Sequence, residues 1–208
     1  MVAGGGDSAA LAASIRRELE RGARALISFG IAGGLEPSLR PGTLVIASAI
    51  CMPDGTLIPT DLRWSQALQS AVPGALFGVL AGSETIVSEP RQKADLRART
   101  AALAVDMESQ TVARIAAAHG LPFTALRAIA DSAERCLPAA ATVAMRAGGG
   151  LDLRAVLRSL ASEPAQVAGL LRIALDARAA LAALARGRRL LGDRLGYTDL
   201  DHPFLDVV

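Results

Sequence analysis

Three short segments of this sequence hold residue types whose spacing could do chemistry. In Gly30-Ile31-Ala32-Gly33-Gly34 the positions without side chains let backbone N–H groups approach a ligand, or simply let the chain turn. Val105-Asp106-Met107-Glu108 sets two carboxylates around a methionine, suited to a helix N-terminus or to a ligand. Arg127-Ala128-Ile129-Ala130-Asp131-Ser132 ends an apolar run on an aspartate, which either caps the next turn or serves as an acid. Ligands of open α/β sheets bind beyond the carboxyl ends of strands, so the elements around these segments decide their use.

Composition narrows the classes. Twenty-two basic against twenty acidic residues leave a net charge of +2, and Lys93 is the only lysine. The arginines are spread along the chain, so no polybasic tract points to nucleic acid. Mean hydropathy is high at +0.36, yet no apolar stretch of ~18 residues is free of charge, so no membrane span is expected. The N-terminus lacks the pattern of a secretory signal, which makes a cytoplasmic protein the expectation. Cys51 and Cys136 are too few and too far apart for a disulfide framework or a zinc site.

The pattern predicts a helix over 7–22, with Leu11, Ile15 and Leu19 on one face, then a buried strand over 25–29 that delivers the chain into a turn at 30–34. Further strands are predicted at 43–50, 75–81, 84–87, 103–106 and 122–129, and helices at 63–71, 91–100 and 107–119, the last stopped by Gly120. Continuously apolar strands between helices indicate a sheet covered on both faces, an α/β class with a mixed sheet. From residue 151 the sequence turns Ala-, Leu- and Arg-rich, predicting helices at 151–160 and 165–191. The expected organisation is an α/β domain over 1–147 and a helical extension over 148–208 packed on it. His119 reads as a helix C-terminal residue, and Trp64 and Tyr197 as packing residues.

Taken in order, Gly-x-Ala-Gly-Gly-Leu, Val-Asp-Met-Glu-Ser and Arg-Ala-Ile-Ala-Asp resemble the purine nucleoside phosphorylase and methylthioadenosine/S-adenosylhomocysteine nucleosidase superfamily over about residues 30–132. Gly4-Gly5-Gly6-Asp7, Ser88-Glu89-Pro90 and the Leu-Arg-rich end are similar to its hopanoid-associated members. The resemblance implies a nucleoside phosphorylase-like mixed sheet and scission of an N-glycosidic bond that releases adenine from an adenosyl nucleoside, adenosylhopane above all. It implies Asp131 as the acid at purine N7, kept protonated by burial, and Glu108 as acceptor of the ribose hydroxyls. Met107 would pack on the sugar, Gly30, Ala32 and Gly33 would line the pocket, Ile86 would wall it, and Asp106 would take a lesser part. No metal and no organic cofactor is implied; the partners are the nucleoside and further copies of the chain in a homodimer or higher homo-oligomer. With a lipid-like substrate, the run from Arg186 to Leu191 adds a peripheral membrane contact.

Three departures qualify these expectations. Ser28 and Ile31 stand where phosphorylases carry phosphate-binding groups, which favours hydrolysis over phosphorolysis. Ala130 replaces a serine that often precedes the aspartate. Only Val2 and Ala3 precede the glycines at 4–6, too few for the family's opening strand, whose turn bears the water-activating glutamate. The expectation is a sequence that starts short of this strand. The alternatives are a phosphate-dependent phosphorylase and a non-catalytic nucleoside-binding protein.

Overall fold

The computed structural model describes residue 2 and residues 7–136 and 166–197. The first helix, α1 (Ser8–Glu20), begins where the Asp7 carboxylate accepts hydrogen bonds from the N–H groups of Ala9 (3.0 Å) and Ala10 (2.9 Å), and it buries Leu11 and Ile15. Next come β1 (Leu26–Gly34), β2 (Leu44–Cys51), β3 (Leu57–Pro59), α2 (Leu62–Ala71) and β4 (Leu76–Gly82). The order continues with α3 (Pro90–Thr100), β5 (Ala104–Asp106), α4 (Ser109–His119), β6 (Phe123–Asp131) and α5 (Gln166–Leu191).

The sheet is mixed, as the apolar runs predict. Its strand order is β3-β2-β4-β5-β1-β6, and β2 also pairs with β6, so five strands close into a ring with β3 appended. Within the ring β2, β4 and β5 run one way, and β1 and β6 the other. Closure buries the inner face and helices cover much of the outer one, which is why most strands read as apolar runs, although Leu76 and Phe77 at the start of β4 stay exposed. Along β2, Val45 and Ala47 join one core with Leu80, Ala125 and Ile129, while Ile46 joins another with Trp64, Leu68 and Leu126.

Helix α5 lies against β6, where Ala180 and Ala183 meet Ala128 and their small side chains allow close approach. Trp64 packs edge-on against Tyr197 at 4.8 Å and donates to the Leu195 carbonyl. The expected domain boundary at 147/148 and the expected helix at 151–160 lie outside the described residues. No helix among the described residues is long and apolar enough to cross a membrane.

Two local expectations are corrected. Residues 84–87 do not form a strand: the Ser83 hydroxyl donates to the Thr85 carbonyl at 2.6 Å and accepts from its N–H, which turns the chain. Residues 30–34 do not turn but continue β1, paired with β6 through Gly33. None of these glycines has a positive φ. They serve space instead: a Cβ at Gly30 would stand 2.4 Å from Arg127 Nη1, and one at Gly33 3.3 Å from Asp131 Oδ1. Gly30→Ala is accordingly expected to cost about 1–3 kcal/mol by overpacking. Thermal or urea unfolding checks this, and unchanged stability refutes it.

Candidate functional site

The site is built around β1. In the register Gly30 faces Arg127 and Gly33 faces Asp131 on β6, with a bulge between Ala32 and Gly33; on its other edge Gly33 faces Val105 of β5. Asp131, the last residue of β6 rather than the first beyond it, thus flanks Gly33, while the segment leaving antiparallel β5 runs back along β1 and sets Glu108 beside Arg127, opposite Gly30. Two strand spacings, roughly 10 Å, separate β5 from β6. The structure therefore places Ala32, Gly33 and Asp131 toward the carboxyl ends of β1 and β6, Gly30 at the middle of β1, and Asp106, Met107 and Glu108 at the end of β5 and just beyond it on the neighbouring edge.

Asp131 is 8% exposed, and Lys93 of α3, 0% exposed, forms an ion pair with its Oδ2. Burial pushes the Asp131 carboxyl above the ordinary carboxylate value, and the Lys93 ammonium pulls the other way. Lys93 also donates to the carbonyls of Ser132 (2.8 Å) and Arg135 (3.2 Å), so the segment Ser132–Arg135 wraps around one ammonium. Arg135 in turn pairs with Asp176 of α5.

Asp106 has turned inward. Its Oδ1 accepts from the N–H groups of Glu108 (2.8 Å) and Ser109 (2.7 Å) and from Arg127 Nη2 (2.9 Å), and its side chain is only 2% exposed. Asp106, expected to take a lesser part at the substrate, is thus placed in a buried pairing, because a guanidinium in a buried strand demands a buried counter-charge. The same guanidinium reaches the hydroxyls of Ser28 (2.5 Å) and Ser109 (3.1 Å from Nε). Glu108 Oε2 lies 3.7 Å from Arg127 Nη2, and its half-buried side chain remains reachable, as does that of Met107. Ile86 sits on the loop leaving β4, in a broad depression of about 1140 Å³ shared with Met52, Pro53, Ser83, Leu96 and Arg99, which neither Asp131 nor Glu108 lines. Among the described residues no group of His, Cys, Asp and Glu is placed to hold a metal ion.

Sequence reasoning missed the partners. Lys93 had a signal, since a sole lysine in the first turn of a helix opposes the dipole and needs a reason. Arg127 had another, a charge inside the apolar strand Phe123–Asp131.

Comparison with known proteins places the chain in a family. The chain is 34% identical over 124 residues to a futalosine hydrolase of Streptomyces coelicolor, covering 51% of this chain and 53% of that protein. It is 28% identical over 130 residues to a 5′-methylthioadenosine/S-adenosylhomocysteine nucleosidase of Geobacillus kaustophilus, covering 52% and 55%. The chain thus spans about half the length of the curated relatives it matches. Among solved structures, a 5′-methylthioadenosine/S-adenosylhomocysteine nucleosidase of Helicobacter pylori superposes with a TM-score of 0.60 at 19% identity, over 86% of this chain and 75% of that one. The futalosine hydrolase of Helicobacter pylori gives 0.57 at 23%, over 75% and 74%. At these identities the likeness establishes the fold. The sequence pattern of one family matches residues 4–168, most of the chain, and by that match the protein belongs to the phosphorylase superfamily.

Proposed function

We propose that this protein hydrolyses the N-glycosidic bond of an adenine nucleoside. The observation that carries the reading is the placement of a buried acid, Asp131, at the end of β6 beside Gly33, and of a half-buried carboxylate, Glu108, just beyond β5 on the other side of β1. Cleavage leaves electrons on the purine and positive charge on the sugar, so an acid is wanted at the base and an anion at the ribose. Asp131 protonates N7, Glu108 accepts from the ribose hydroxyls, Met107 packs on the sugar, and Gly30, Ala32 and Gly33 leave room for the nucleoside. Asp106 holds Arg127 and the start of α4.

Water is favoured over phosphate because Ser28 is already engaged with Arg127 and Ser109, and Arg127 faces Asp106 and Glu108. Adenosylhopane is the substrate we favour, on the resemblance of the flanking segments to hopanoid-associated members; methylthioadenosine, adenosylhomocysteine and futalosine, suggested by the relatives' names, are the alternatives. We take the protein to be cytoplasmic and homo-oligomeric. Exposed Arg186, Arg189 and Leu190 near the end of α5 support a peripheral membrane contact.

The test is incubation with 5′-methylthioadenosine, in phosphate and in phosphate-free buffer, with chromatography of base and sugar. Adenine with free sugar in both buffers is expected. A strict phosphate requirement with a sugar 1-phosphate selects phosphorolysis, and binding without adenine release selects a non-catalytic binder. Within the hydrolytic reading, Glu108→Gln is expected to lower kcat/KM by about ten- to a hundredfold, the worth of charged hydrogen bonds to the sugar. Steady-state kinetics reads this, and an unchanged kcat/KM removes Glu108 from the ribose site.

A further inference from the structure

The least expected group in the molecule is Lys93. It is fully buried, it is the only lysine in the chain, and it occupies the first turn of α3, where the helix dipole disfavours a cation. All three hydrogen-bonding directions of its Nζ are engaged: Asp131 Oδ2, the Ser132 carbonyl and the Arg135 carbonyl. A charged ammonium donates to all three acceptors.

We propose that Lys93 is the positioning residue of Asp131: its ammonium donates to Oδ2 and fixes the carboxyl so that Oδ1, on the Gly33 side, carries the acid's own proton and delivers it to the purine. The inference rests on the reading of Asp131 as the acid. In the step, the C1′–N9 bond breaks and its electron pair goes to the purine, whose N7 takes the proton from Asp131. The water oxygen bonds to C1′, and the proton that water gives up restores the Asp131 carboxyl. The charged groups facing Asp131 are Lys93 from α3, Arg135 from the segment after β6 and Asp176 from α5. The last two pair with each other, so Lys93 alone addresses the carboxyl directly.

Because the chain has a single lysine, lysine-selective ¹³C labelling yields one side-chain signal, which can be titrated in the intact protein and in Asp131→Asn. The expected result is that the lysine signal titrates differently in the two proteins, since in Asp131→Asn the buried cation has lost its counter-charge. Saturating adenine is expected to move the signal in the wild type. A midpoint common to both proteins overturns the proposal. In kinetics, Lys93→Met is expected to lower kcat about tenfold or more at nearly constant KM and to move the alkaline limb of the pH profile upward. In the Asp131→Asn background the same change is expected to cost nothing further. Wild-type kcat and pH profile in a folded Lys93→Met overturn the proposal while leaving Asp131 as the acid. Full turnover by Asp131→Asn overturns the acid itself, and the titration still reports whether the two groups are coupled.

Discussion

On the proposed function, Asp131→Asn is expected to lower adenine release by about 10²- to 10⁴-fold, the range that a positioned general acid supplies, with KM little changed. The substitution keeps the shape of the side chain and an oxygen for Lys93, so the segment Ser132–Arg135 keeps its anchor and the protein folds. What is lost is the ability to hand over a proton. The pH dependence has a definite sign. Burial holds the Asp131 carboxyl above its ordinary value, with Lys93 opposing, and an acid acts only while protonated. Activity that depends on Asp131 is therefore present below its folded-state pKa and lost as pH rises through it, and in Asp131→Asn this alkaline limb disappears. Stability follows the same direction. The folded state holds the proton more tightly than the unfolded chain, so this group's contribution declines as pH rises from the ordinary carboxylate value through the raised one. Adenine release measured across pH in both proteins decides the matter; turnover near the wild-type level by Asp131→Asn removes this residue from the chemistry.

Asp106→Ala is expected to destabilise the fold by about 3–5 kcal/mol, a large part of the ~5–15 kcal/mol that a domain possesses. Arg127 is nine-tenths buried and more, its side chain 4% exposed, and Asp106 is its near counter-charge at 2.9 Å; Glu108 stands farther off at 3.7 Å. Deleting the carboxylate leaves a guanidinium in a low-dielectric site with hydroxyls, one carbonyl and only the more distant, partly exposed Glu108 carboxylate for company. It also strips the N–H groups of Glu108 and Ser109 of their acceptor, adding about 1 kcal/mol for the lost helix cap. Replacing both members, Asp106→Leu with Arg127→Leu, is expected to lie closer to the wild type than Asp106→Ala, because no uncompensated charge remains. Urea unfolding of the three proteins tests the pairing: Asp106→Ala as stable as wild type, or the double variant worse than the single, contradicts it.

Part of this protein is legible in one dimension. Apolar runs without alternation indicate a sheet covered on both faces, Asp7 and Gly120 mark a helix start and a helix stop, and the segments around Gly33, Glu108 and Asp131 carry their chemistry in residue types alone. Those features depend on local preference and on neighbours within a few positions, which a sequence displays directly. The glycines at 30, 33 and 34 look like a turn for the same reason, since a missing side chain says only that something needs conformational freedom or room. Tertiary structure decides between these: the facing residues on β6 are Arg127 and Asp131, and they take the room.

The charges required it most. Lys93 finds Asp131 across 38 positions and Arg127 finds Asp106 across 21, through pairings set by strand register and by the packing of α3. A residue's type states that a buried charge must be compensated; which group compensates it is a long-range property. So the sequence alone settles the kind of sheet and the carboxylates available for chemistry. Only the closed, mixed sheet determines that one of them, Asp106, is buried against Arg127, that Glu108 stands half-buried farther from the same arginine, and that Asp131 pairs with a lysine.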